Sequence, residues 1–400
     1  MVGAFAWPTA TIADLCLTFS GGTPSTSRPE YYGGHIPWIA SADLNHHRIR
    51  SVSGRITRLG LERSSAKMVK AGTPLLALYG ATAGVAAITY VNGAINQAIL
   101  AMVPKGIDGE FLYQWLSANR SAIIDRYTQG GQPNLSGAIV RRIEMPVPPL
   151  TEQRAIVSAL NGADGAVEVL EQLIAKKQAI KQGMMQQLLS GKIRLSGHTG
   201  RWTVKDLAEL AAIDPEALTP QTSPTEIIDY ISLEDVSRGV LLSSSRLAFR
   251  NAPSRARRVV REMDVLFGTV RPNLQSHVIY TGGLSRPIAS TGFAVVRAIS
   301  NRADPRFLFF LLMSNLASVQ IDRIIAGSNY PAVSSGDVRR LLFEVPDVRE
   351  QAAIGAALAD CDAELRILNL RLSKARAIKQ GMTQELLTSR THLPVKEPAV

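Results

Sequence analysis

The chain has 400 residues, 46% of them hydrophobic and 19% charged, which is enough for two or three domains with apolar cores. The longest apolar run is too short for a transmembrane helix, the first ten residues lack the basic start of a signal peptide, and only Cys16 and Cys361 are present, so we expect a cytoplasmic protein without a disulfide framework or a cysteine-rich zinc site. The formal net charge of +11 favours a polyanionic partner, most often nucleic acid, although many basic proteins bind none.

One segment of the sequence occurs twice. Residues 148–191 return at 346–389 without a gap and with a constant offset of 198, so that Glu152 matches Glu350 and Ile180 matches Ile378. A period of about half the chain predicts two tandem units, each a variable block followed by a shared helical block. The excess positive charge lies mainly in the variable blocks, because residues 1–148 carry 13 basic and 8 acidic side chains and residues 199–346 carry 17 and 14.

The first variable block, residues 1–148, has the pattern of a mixed α/β domain. Short apolar runs predict strands within 35–44, 72–90 and 96–104, and residues 111–127 predict one helix. A Gly-rich loop could present backbone N–H groups to phosphate or form a plain turn; its residues are Ser20, Gly21, Gly22 and Thr23. Polar side chains of other turns could contact a DNA groove, with Asn96 and Gln97 able to read adenine, or could only tie loops together; they are Tyr79, Thr82, Asn96 and Gln97.

Each repeated block predicts one helix of about 40 residues that begins after prolines and forms a rod of about 60 Å. Apolar or small residues recur at the 4, 3, 4 spacing of a heptad seam, which needs a partner along its length. The most economical partner is the second copy, antiparallel in the same chain; the alternative is that each helix packs only on its own variable block. The seam residues that we expect to pair are Ile156, Leu160, Val167 and Leu170 in the first helix and Ile354, Leu358, Leu365 and Leu368 in the second.

Towards the end of each helix the apolar stripe moves to Ile180 and Ile378, which predicts a stutter or a change of packing partner. Gly183 and Gly381 indicate either a close approach of two helices or a bend. Polar residues on the remaining face form either a docking surface or a solvated face; they are Lys176, Lys177, Lys181, Gln182 and Gln186, with Lys374, Arg376, Lys379, Gln380 and Gln384 in the second copy.

The second variable block, residues 192–346 with a short lead-in, repeats the order of predicted elements, with strands within 227–236, 264–274 and 292–299 and a helix over 305–325. Six arginines between Arg246 and Arg261 predict phosphate neutralisation, unless acidic neighbours such as Glu262 and Asp264 pair with them. Candidate contacts to phosphates and base edges are Arg255, Arg257, Arg258, Thr269, Arg271, Asn273, Arg286, Asn329 and Tyr330. The tail, residues 390–400, has prolines and little pattern, and we expect disorder there.

Several phrases resemble one protein family. Each helix begins with Glu-Gln shortly after a proline and ends with IKQGM-x-Q-x-LL, and the first block contains SGGTPS (20–25), YYGGHIPWI (31–39), SSAKMVKAGTPLLALYGATAG (64–84), INQA (95–98) and GGQPNLS (130–136). Over nearly the whole chain this arrangement resembles the specificity subunits of type I restriction–modification systems. In the second block, DVLFGTVRPNL and ASTGFAV resemble a different type of recognition domain within that family.

The resemblance implies an α/β (α+β) fold in which two mixed α/β target recognition domains are separated by a pair of long antiparallel coiled-coil helices, with a pseudo-two-fold internal repeat. The domains are residues 1–148 and 192–346, and the spacer helices are residues 149–191 and 347–389. Each domain would read one half of a bipartite site in double-stranded DNA, asymmetric because the two domains differ. The helices would dock two adenine-methylating modification subunits, which restriction subunits would join; S-adenosylmethionine, ATP and Mg would bind to those partners, and no cofactor is expected on this chain.

We expect no catalytic activity from this chain. The sequence has no GK[ST] phosphate loop, no GxGxxG after a strand, no Asn-Pro-Pro-aromatic tetrapeptide of the kind that amino-methyltransferases use, and no HExxH zinc motif. Two alternatives stay open. One is a stand-alone sequence-specific DNA-binding regulator, and the other is an enzyme whose nuclease or methyltransferase site is built from dispersed residues.

Overall fold

The structure is a computed structural model that describes residues 7–127, 134–325, 331–388, 391 and 393. The chain divides into two compact units, residues 1–169 with 372–400 and residues 170–371. Each unit therefore contains one variable block, the first part of one long helix and the last part of the other. The tail from residue 390 onward lies outside the described residues except for Thr391 and Leu393.

The first unit is built from two small sheets with helices on one side. Its strands are β1 (Thr9–Thr11), β2 (Cys16–Ser20), β3 (Tyr32–Ile39), β4 (Arg48–Ile49), β5 (Arg55–Ile56), β6 (Lys67–Val69), β7 (Pro74–Ala77), β8 (Ala86–Thr89), β9 (Gly93–Ile95), β10 (Ile99–Pro104) and β11 (Glu144–Pro146). Its α-helices are α1 (Ile12–Leu15), α2 (Arg58–Glu62), α3 (Gly109–Ala118), α4 (Arg120–Tyr127), α5 (Gly137–Arg141) and the long α6 (Leu150–Leu188), which continues into the second unit. The sheets have the strand orders β2-β10-β7-β8-β4 and β5-β3-β9-β6, and β1 pairs with β11.

The second unit repeats this arrangement. Its strands are β12 (Thr203–Asp206), β13 (Ala211–Ile213), β14 (Ile227–Ile231), β15 (Val236–Ser237), β16 (Val240–Leu241), β17 (Ser245–Ala248), β18 (Ala256–Val259), β19 (Val265–Gly268), β20 (His277–Ile279), β21 (Pro287–Ser290), β22 (Phe293–Ala298) and β23 (Leu342–Val345). Its α-helices are α7 (Leu207–Leu210), α8 (Pro305–Met313), α9 (Asn315–Ile325), α10 (Ser335–Arg339) and the long α11 (Val348–Leu386), which continues into the first unit. The sheet orders β13-β22-β19-β20 and β17-β14-β21-β18 match those of the first unit except that β4 has no counterpart in the first of them, and β12 pairs with β23 as β1 pairs with β11. The predicted fold class and internal repeat are confirmed.

Strand β7 shows why the central strands read as continuous apolar runs in the sequence. Successive side chains of a strand point to opposite faces. Leu75 and Ala77 pack in the core between the two sheets, whereas Leu76 packs in the core under the helices. Both faces of the strand are covered, so every residue of β7 is buried.

The helix that the sequence predicts in each variable block is in fact two helices. Asn119 ends α3, and its side-chain amide donates to the carbonyl of Trp115. Ser314 has an extended backbone between α8 and α9, and its hydroxyl accepts from the N–H of Leu316. Short polar side chains compete with the helix for backbone hydrogen bonds, so each predicted helix breaks at its Asn or Ser.

The Glu-Gln pair at the start of each long helix fastens that helix to its variable block. Glu152 accepts a hydrogen bond of 3.2 Å from the indole N–H of Trp7, and Glu350 accepts one of 3.2 Å from Trp202. Glu350 is fully buried and also binds the Arg194 guanidinium through both carboxylate oxygens. Both buried carboxylates therefore have an indole hydrogen-bond donor, and Glu350 also has the charged partner that compensates for its burial.

The neighbouring glutamines make a second attachment. Gln153 accepts from the N–H of Asp108, at the start of α3, and donates to the carbonyl of Pro148 at 2.7 Å. Gln351 makes the same two bonds, to Asp304 and Pro346, at 3.1 and 2.9 Å. The Glu-Gln motif thus fixes the start of α6 against the start of α3, and the start of α11 against the start of α8.

Parts of the two long helices pack antiparallel within each unit. In the first unit Ile156 and Leu160 of α6 share a core with Leu386 of α11, and Lys379 binds Asp164 at 2.5 Å. In the second unit Ile354 and Leu358 share a core with Leu188. There Lys181 pairs with Asp362 and Lys177 with Glu364, and the Cys361 and Met184 sulfurs are 3.7 Å apart. The antiparallel pairing is confirmed, and both parts also pack on a variable block.

At the ends of the helices the structure contradicts the stutter and the close helix approach at the glycines, whereas a change of packing partner and a bend stay predictions. Ile180 and Ile378 are 43% and 61% exposed, so the heptad seam does not shift to them; it continues through Lys177, Lys181 and Met184. A methyl group on Gly183 or Gly381 would meet no described atom within 4 Å, so neither glycine marks a close helix approach. Of the polar face, Lys177, Lys181 and Lys379 are in ion pairs between the helices.

Within the described residues, no single helix is long and apolar enough to cross a membrane. The bent pair α8 and α9 together has the length and apolar composition of a membrane span, but no other feature of one. The apolar residues of α8 lie in the core of the second unit.

Replacing Ile354 by Ala should cost about 2–4 kcal/mol of unfolding free energy, because Ile354 is fully buried at the seam. Replacing Ile378 by Ala should change it by less than about 0.5 kcal/mol, because that side chain is largely exposed. Urea unfolding of both variants makes the comparison. If both variants lost the same unfolding free energy, Ile378 would be a seam residue and the helices would contain a stutter.

Stability should also depend on His277. Burial lowers the pKa of this imidazole to about 4, and Nδ1 accepts a 2.9 Å hydrogen bond from the N–H of Gly268 while the ring stacks on Phe267. A folded-state pKa below the unfolded value of 6.5 means that stability is full above pH 6.5 and falls as the pH drops towards 4. Urea midpoints measured across this window should fall for the natural chain and fall less for His277→Asn. Identical pH profiles would contradict this account.

Candidate nucleic-acid interface

Three turns of the first unit meet at one edge of its sheets. The N–H of Gly22 donates to the carbonyl of Ile95, and Thr23 Oγ1 donates to Gln97 Oε1 at 2.5 Å. The N–H of Leu78 donates to the carbonyl of Ala98, which brings Tyr79 to the same edge, and Tyr79 bridges to Asn134. We call the exposed or half-exposed side chains here the first loop cluster; its members are Thr23, Lys67, Tyr79, Thr82 and Gln97.

Several of the sequence candidates in this unit have a structural role. A Cβ on Gly21 or Gly22 would lie within 2.0 Å of a neighbouring atom, and the Gly22 N–H is already used. Gly21 therefore allows close packing on Ile95 of β9 and Gly22 allows it on Ser65, and the Gly22 N–H is not free for phosphate. Asn96 is buried, and its side-chain oxygen accepts from the N–H of Ala98, so it closes a turn. Ser20 ends β2 beside them.

Lys67 is a candidate that the sequence reasoning missed. It starts β6, directly opposite Ile95, and its ammonium lies 5.6 Å from the centre of the Phe19 ring. Its position in the phrase SSAKMVKAGTPLLALYGATAG was the only signal in the sequence. A cation held beside Gln97 suits contact with a phosphate that flanks a base.

The second unit has a corresponding loop cluster with different side chains. The N–H of Thr269 donates to the carbonyl of Gly292, as Leu78 donates to Ala98, and Val270 bridges to Ala332 as Tyr79 bridges to Asn134. We call the exposed side chains at this edge the second loop cluster; its members are Arg255, Arg271, Asn273 and Thr291. Thr291, which sequence reasoning missed, is at the turn position of Gln97, and its N–H donates to the carbonyl of Arg255.

Arg271 has an unusual backbone. Its φ and ψ are 47° and 55°, the left-handed region, and the residue after it is Pro272. The corresponding residue of the first unit is Gly80, with φ of 79°. An L-residue in this conformation costs on the order of 1 kcal/mol relative to glycine, and such strain clusters at functional sites. The exposed Arg271 side chain is therefore kept at a position where glycine would be less strained.

Other candidates of the second unit are already engaged. Thr269 is buried, and its hydroxyl donates to the carbonyl of Gly292, so it does not face a groove. Arg286 is half-exposed and binds Glu226 at 2.7 Å. Asn329 and Tyr330 lie outside the described residues.

Carboxylates of the second unit itself neutralise part of its arginine-rich segment. Arg258 binds Asp214 at 2.9 Å, and Arg261 binds Glu216 at 2.6 Å, so acidic residues other than the expected Glu262 are the partners. Although partial burial acts in the opposite direction, hydrogen bonds from Arg297 and Arg261 lower the pKa of Glu216. Arg257 stacks on Phe249 at 5.0 Å. The exposed arginines of the segment are Arg246, Arg250, Arg255 and Arg261, of which Arg261 binds Glu216.

Together the loop clusters define a class of protein. Two domains with one strand order present amide, hydroxyl, phenol and lysine groups in one case, and arginine, asparagine and threonine groups in the other. Such side chains make hydrogen bonds to base edges and phosphates, and the chain is strongly basic. Over the described residues, no group of three or more His, Cys, Asp or Glu residues lies close enough to hold a metal ion. The arrangement is that of a protein with two DNA-reading domains.

Comparison with known proteins agrees with this class. Residues 6–179 match the family described as type I restriction modification DNA specificity domain. The MjaIX specificity subunit of a type I restriction enzyme from Methanocaldococcus jannaschii is 31% identical over 168 residues, which are 40% of this chain and 39% of that protein. The MjaVIII specificity subunit of the same organism is 21% identical over 96% of this chain and 92% of its own length. The crystal structure of the type I restriction–modification S subunit from M. genitalium superposes with a TM-score of 0.63 at 15% identity, covering 97% of this chain and 98% of that one.

Over residues 6–179 the chain is thus similar to the DNA specificity domain of type I restriction–modification systems, and over almost its whole length it is similar to a type I specificity subunit. The local match to MjaIX spans less than half of that relative, whereas the match to MjaVIII spans almost all of it.

Replacing Arg271 by Gly separates stability from DNA binding. The unfolding free energy should rise by about 0.5 kcal/mol, because relief of the left-handed backbone exceeds the added entropy of the unfolded chain. Affinity for the target DNA should fall at least about tenfold if the guanidinium contacts a base edge. The matched control is Asn301→Gly, another left-handed residue away from the loop cluster, which should leave DNA affinity unchanged. Unchanged affinity in the Arg271 variant would remove Arg271 from the interface.

Proposed function

We propose that this chain reads an asymmetric, two-part site in double-stranded DNA with its two variable blocks and carries the modification subunits on its paired helices. The observation that supports this proposal best is the pair of loop clusters. Both stand on equivalent strands and are joined by equivalent backbone bonds, yet equivalent positions carry different residues, such as Gln97 in the first and Thr291 in the second. Two domains of the same fold with different side chains in their loop clusters suit two half-sites of different sequence.

The side chains of each cluster suggest which bases they would read. Gln97 is exposed, and its amide suits the paired donor and acceptor of adenine in the major groove. The Arg271 guanidinium suits the two acceptors of guanine, with Asn273 and Thr291 beside it. Phosphates would be bound by Lys67 in the first unit and by the exposed arginines near Arg255 in the second.

Exposed apolar residues on the long helices support a docking role. Val169 and Ile367 are 63% and 50% exposed, and Ile180 and Ile378 are also exposed, each pair at the repeat offset of 198. Apolar side chains that recur at equivalent exposed positions suit two copies of one partner. We propose that these copies are two modification subunits, which restriction subunits then join in the cytoplasm.

In this proposal the chain itself is not catalytic. S-adenosylmethionine, ATP and Mg would be bound by the modification and restriction subunits. The alternative of a stand-alone regulator differs in a measurable way, because a regulator would bind its site tightly as a purified chain, whereas a specificity subunit needs its partners for full specificity. Methyl transfer or DNA cleavage by the purified chain alone would contradict the non-catalytic proposal.

A domain exchange tests the two-reader proposal. Replacing residues 1–148 with the first domain of another specificity subunit should change one half of the methylated motif and leave the other half intact, as measured by sequencing methylated adenines in a host that supplies the partner subunits. The reciprocal exchange of residues 199–346 should change only the other half. A change in both halves after a single exchange would show that the domains do not read independently.

A further inference from the structure

In the first unit, Arg48 joins three parts of the variable block to the long helix α6. Its Nη1 donates to the Tyr90 hydroxyl at 2.6 Å and to Glu110 at 2.9 Å. Its Nη2 donates to the side-chain oxygen of Asn161, on α6, at 2.6 Å. The three partners belong to the end of β8, to α3 and to α6, so a single side chain holds the sheet, a helix of the reader and the spacer helix together.

The surroundings of Arg48 are built to hold it in one position. The Tyr113 ring lies 5.5 Å below the guanidinium, and Tyr90 also donates to the same Glu110 oxygen. Gln114 donates to Asn161 at 3.3 Å, which orients the amide oxygen towards Arg48. Although burial opposes it, the Glu110 carboxylate raises the pKa of Arg48, so the guanidinium stays charged.

The other carboxylates of the network explain why this cation is needed. The second oxygen of Glu110 is buried without a hydrogen-bond partner among the described residues, so the carboxylate depends on Arg48 for compensation. Asp164 lies 4.0 Å from Arg48 and also binds Lys379 of α11 at 2.5 Å. The network therefore continues from the reader, through α6, to the other spacer helix within this unit.

The second unit has no such network at the corresponding place. The positions of Glu110, Gln114 and Asn161 are taken by Arg306, Phe310 and Ala359, of which Ala359 lies at the repeat offset. Where Arg48 covers Tyr113, a Cβ on Gly239 would lie 3.2 Å from the Phe309 ring. The result is an open cleft of about 890 Å³, with Phe309, Phe310 and Met313 on one side.

We propose that Arg48, acting with Asn161, is a positioning residue that fixes the seat of the first reader on its spacer helix and so contributes to the single spacing between the two half-sites. This inference rests on the proposed function. A planar guanidinium that bonds three elements at once limits both sliding and rotation between them, which apolar contact alone does not. The first reader has this attachment in addition to its Glu-Gln motif, whereas the second has its Glu-Gln motif, apolar contacts and the Lys181 ammonium 5.4 Å from the centre of the Phe310 ring.

Asn161→Leu tests the proposal with the least risk to folding, because the residue is only half-buried and the change removes the acceptor without removing a charge. Methylated adenines should be sequenced in a host that carries the variant chain and its partner subunits. Sites with a spacer one base pair longer or shorter should gain methylation, so that the preference for the natural spacer falls about tenfold. The half-site sequences should stay unchanged. Arg48→Met should give the same result, and Asn161→Asp, which keeps an oxygen for Arg48, should retain the natural preference.

The matched control is Arg58→Ala, an exposed arginine of the same reader that pairs with Glu62, and it should have no effect on spacing. A merely structural loss would lower methylation at all sites alike and leave the spacer preference unchanged, which would overturn the proposal. Failure of the proposed function would look different, because the natural chain would then yield no two-part motif.

Discussion

The structure depends on covering the apolar seam of two helices that are each 39 residues long. An amphipathic helix of that length is not stable in water with its seam exposed, and most of its stability must come from packing. The chain meets this requirement with its own repeat. Each unit joins the first part of one helix to the last part of the other, and the pairs Lys181–Asp362 and Lys379–Asp164 are the same contact made twice. The buried Glu152 and Glu350 then fasten each helix start to a reader, so that recognition domain and spacer form one core within each unit.

On this shared scaffold the two readers differ mainly at their loop clusters. Equivalent backbone hydrogen bonds hold the turns of both clusters in place, so side chains there can change without loss of the fold. The contrast between Gly80 and Arg271 illustrates the consequence. Glycine favours a left-handed backbone, and the first unit has Gly80 there. The second unit has Arg271 at the same position, where the backbone is strained and the guanidinium is exposed. In the proposed function, stability and recognition are therefore in conflict at Arg271.

The readers also differ in how they are attached. The polar network around Arg48 sets position through directed bonds, and its cost is the burial of charge, which apolar packing avoids. Hydrogen bonds fix distance and angle more narrowly than contacts between Phe, Met and aliphatic side chains. In the proposed function, which needs two DNA contacts at one spacing, a directed attachment of at least one reader has a clear physical use.

The sequence by itself determined the repeat, the two long helices and the order of elements in the readers, because heptad spacing, strand alternation and turn residues are local signals. The tertiary structure decided which residues face solvent. Ile180 and Ile378 look like seam residues in the sequence, but the partner helix covers Lys177 and Lys181 instead. Asn96 and Thr269 look like DNA contacts, but other turns bury them, whereas Lys67 and Thr291 become exposed at the same edges. The Arg48 network could not be read from the sequence at all, because its partners lie 42, 62 and 113 residues away along the chain and only folding brings them within hydrogen-bond distance.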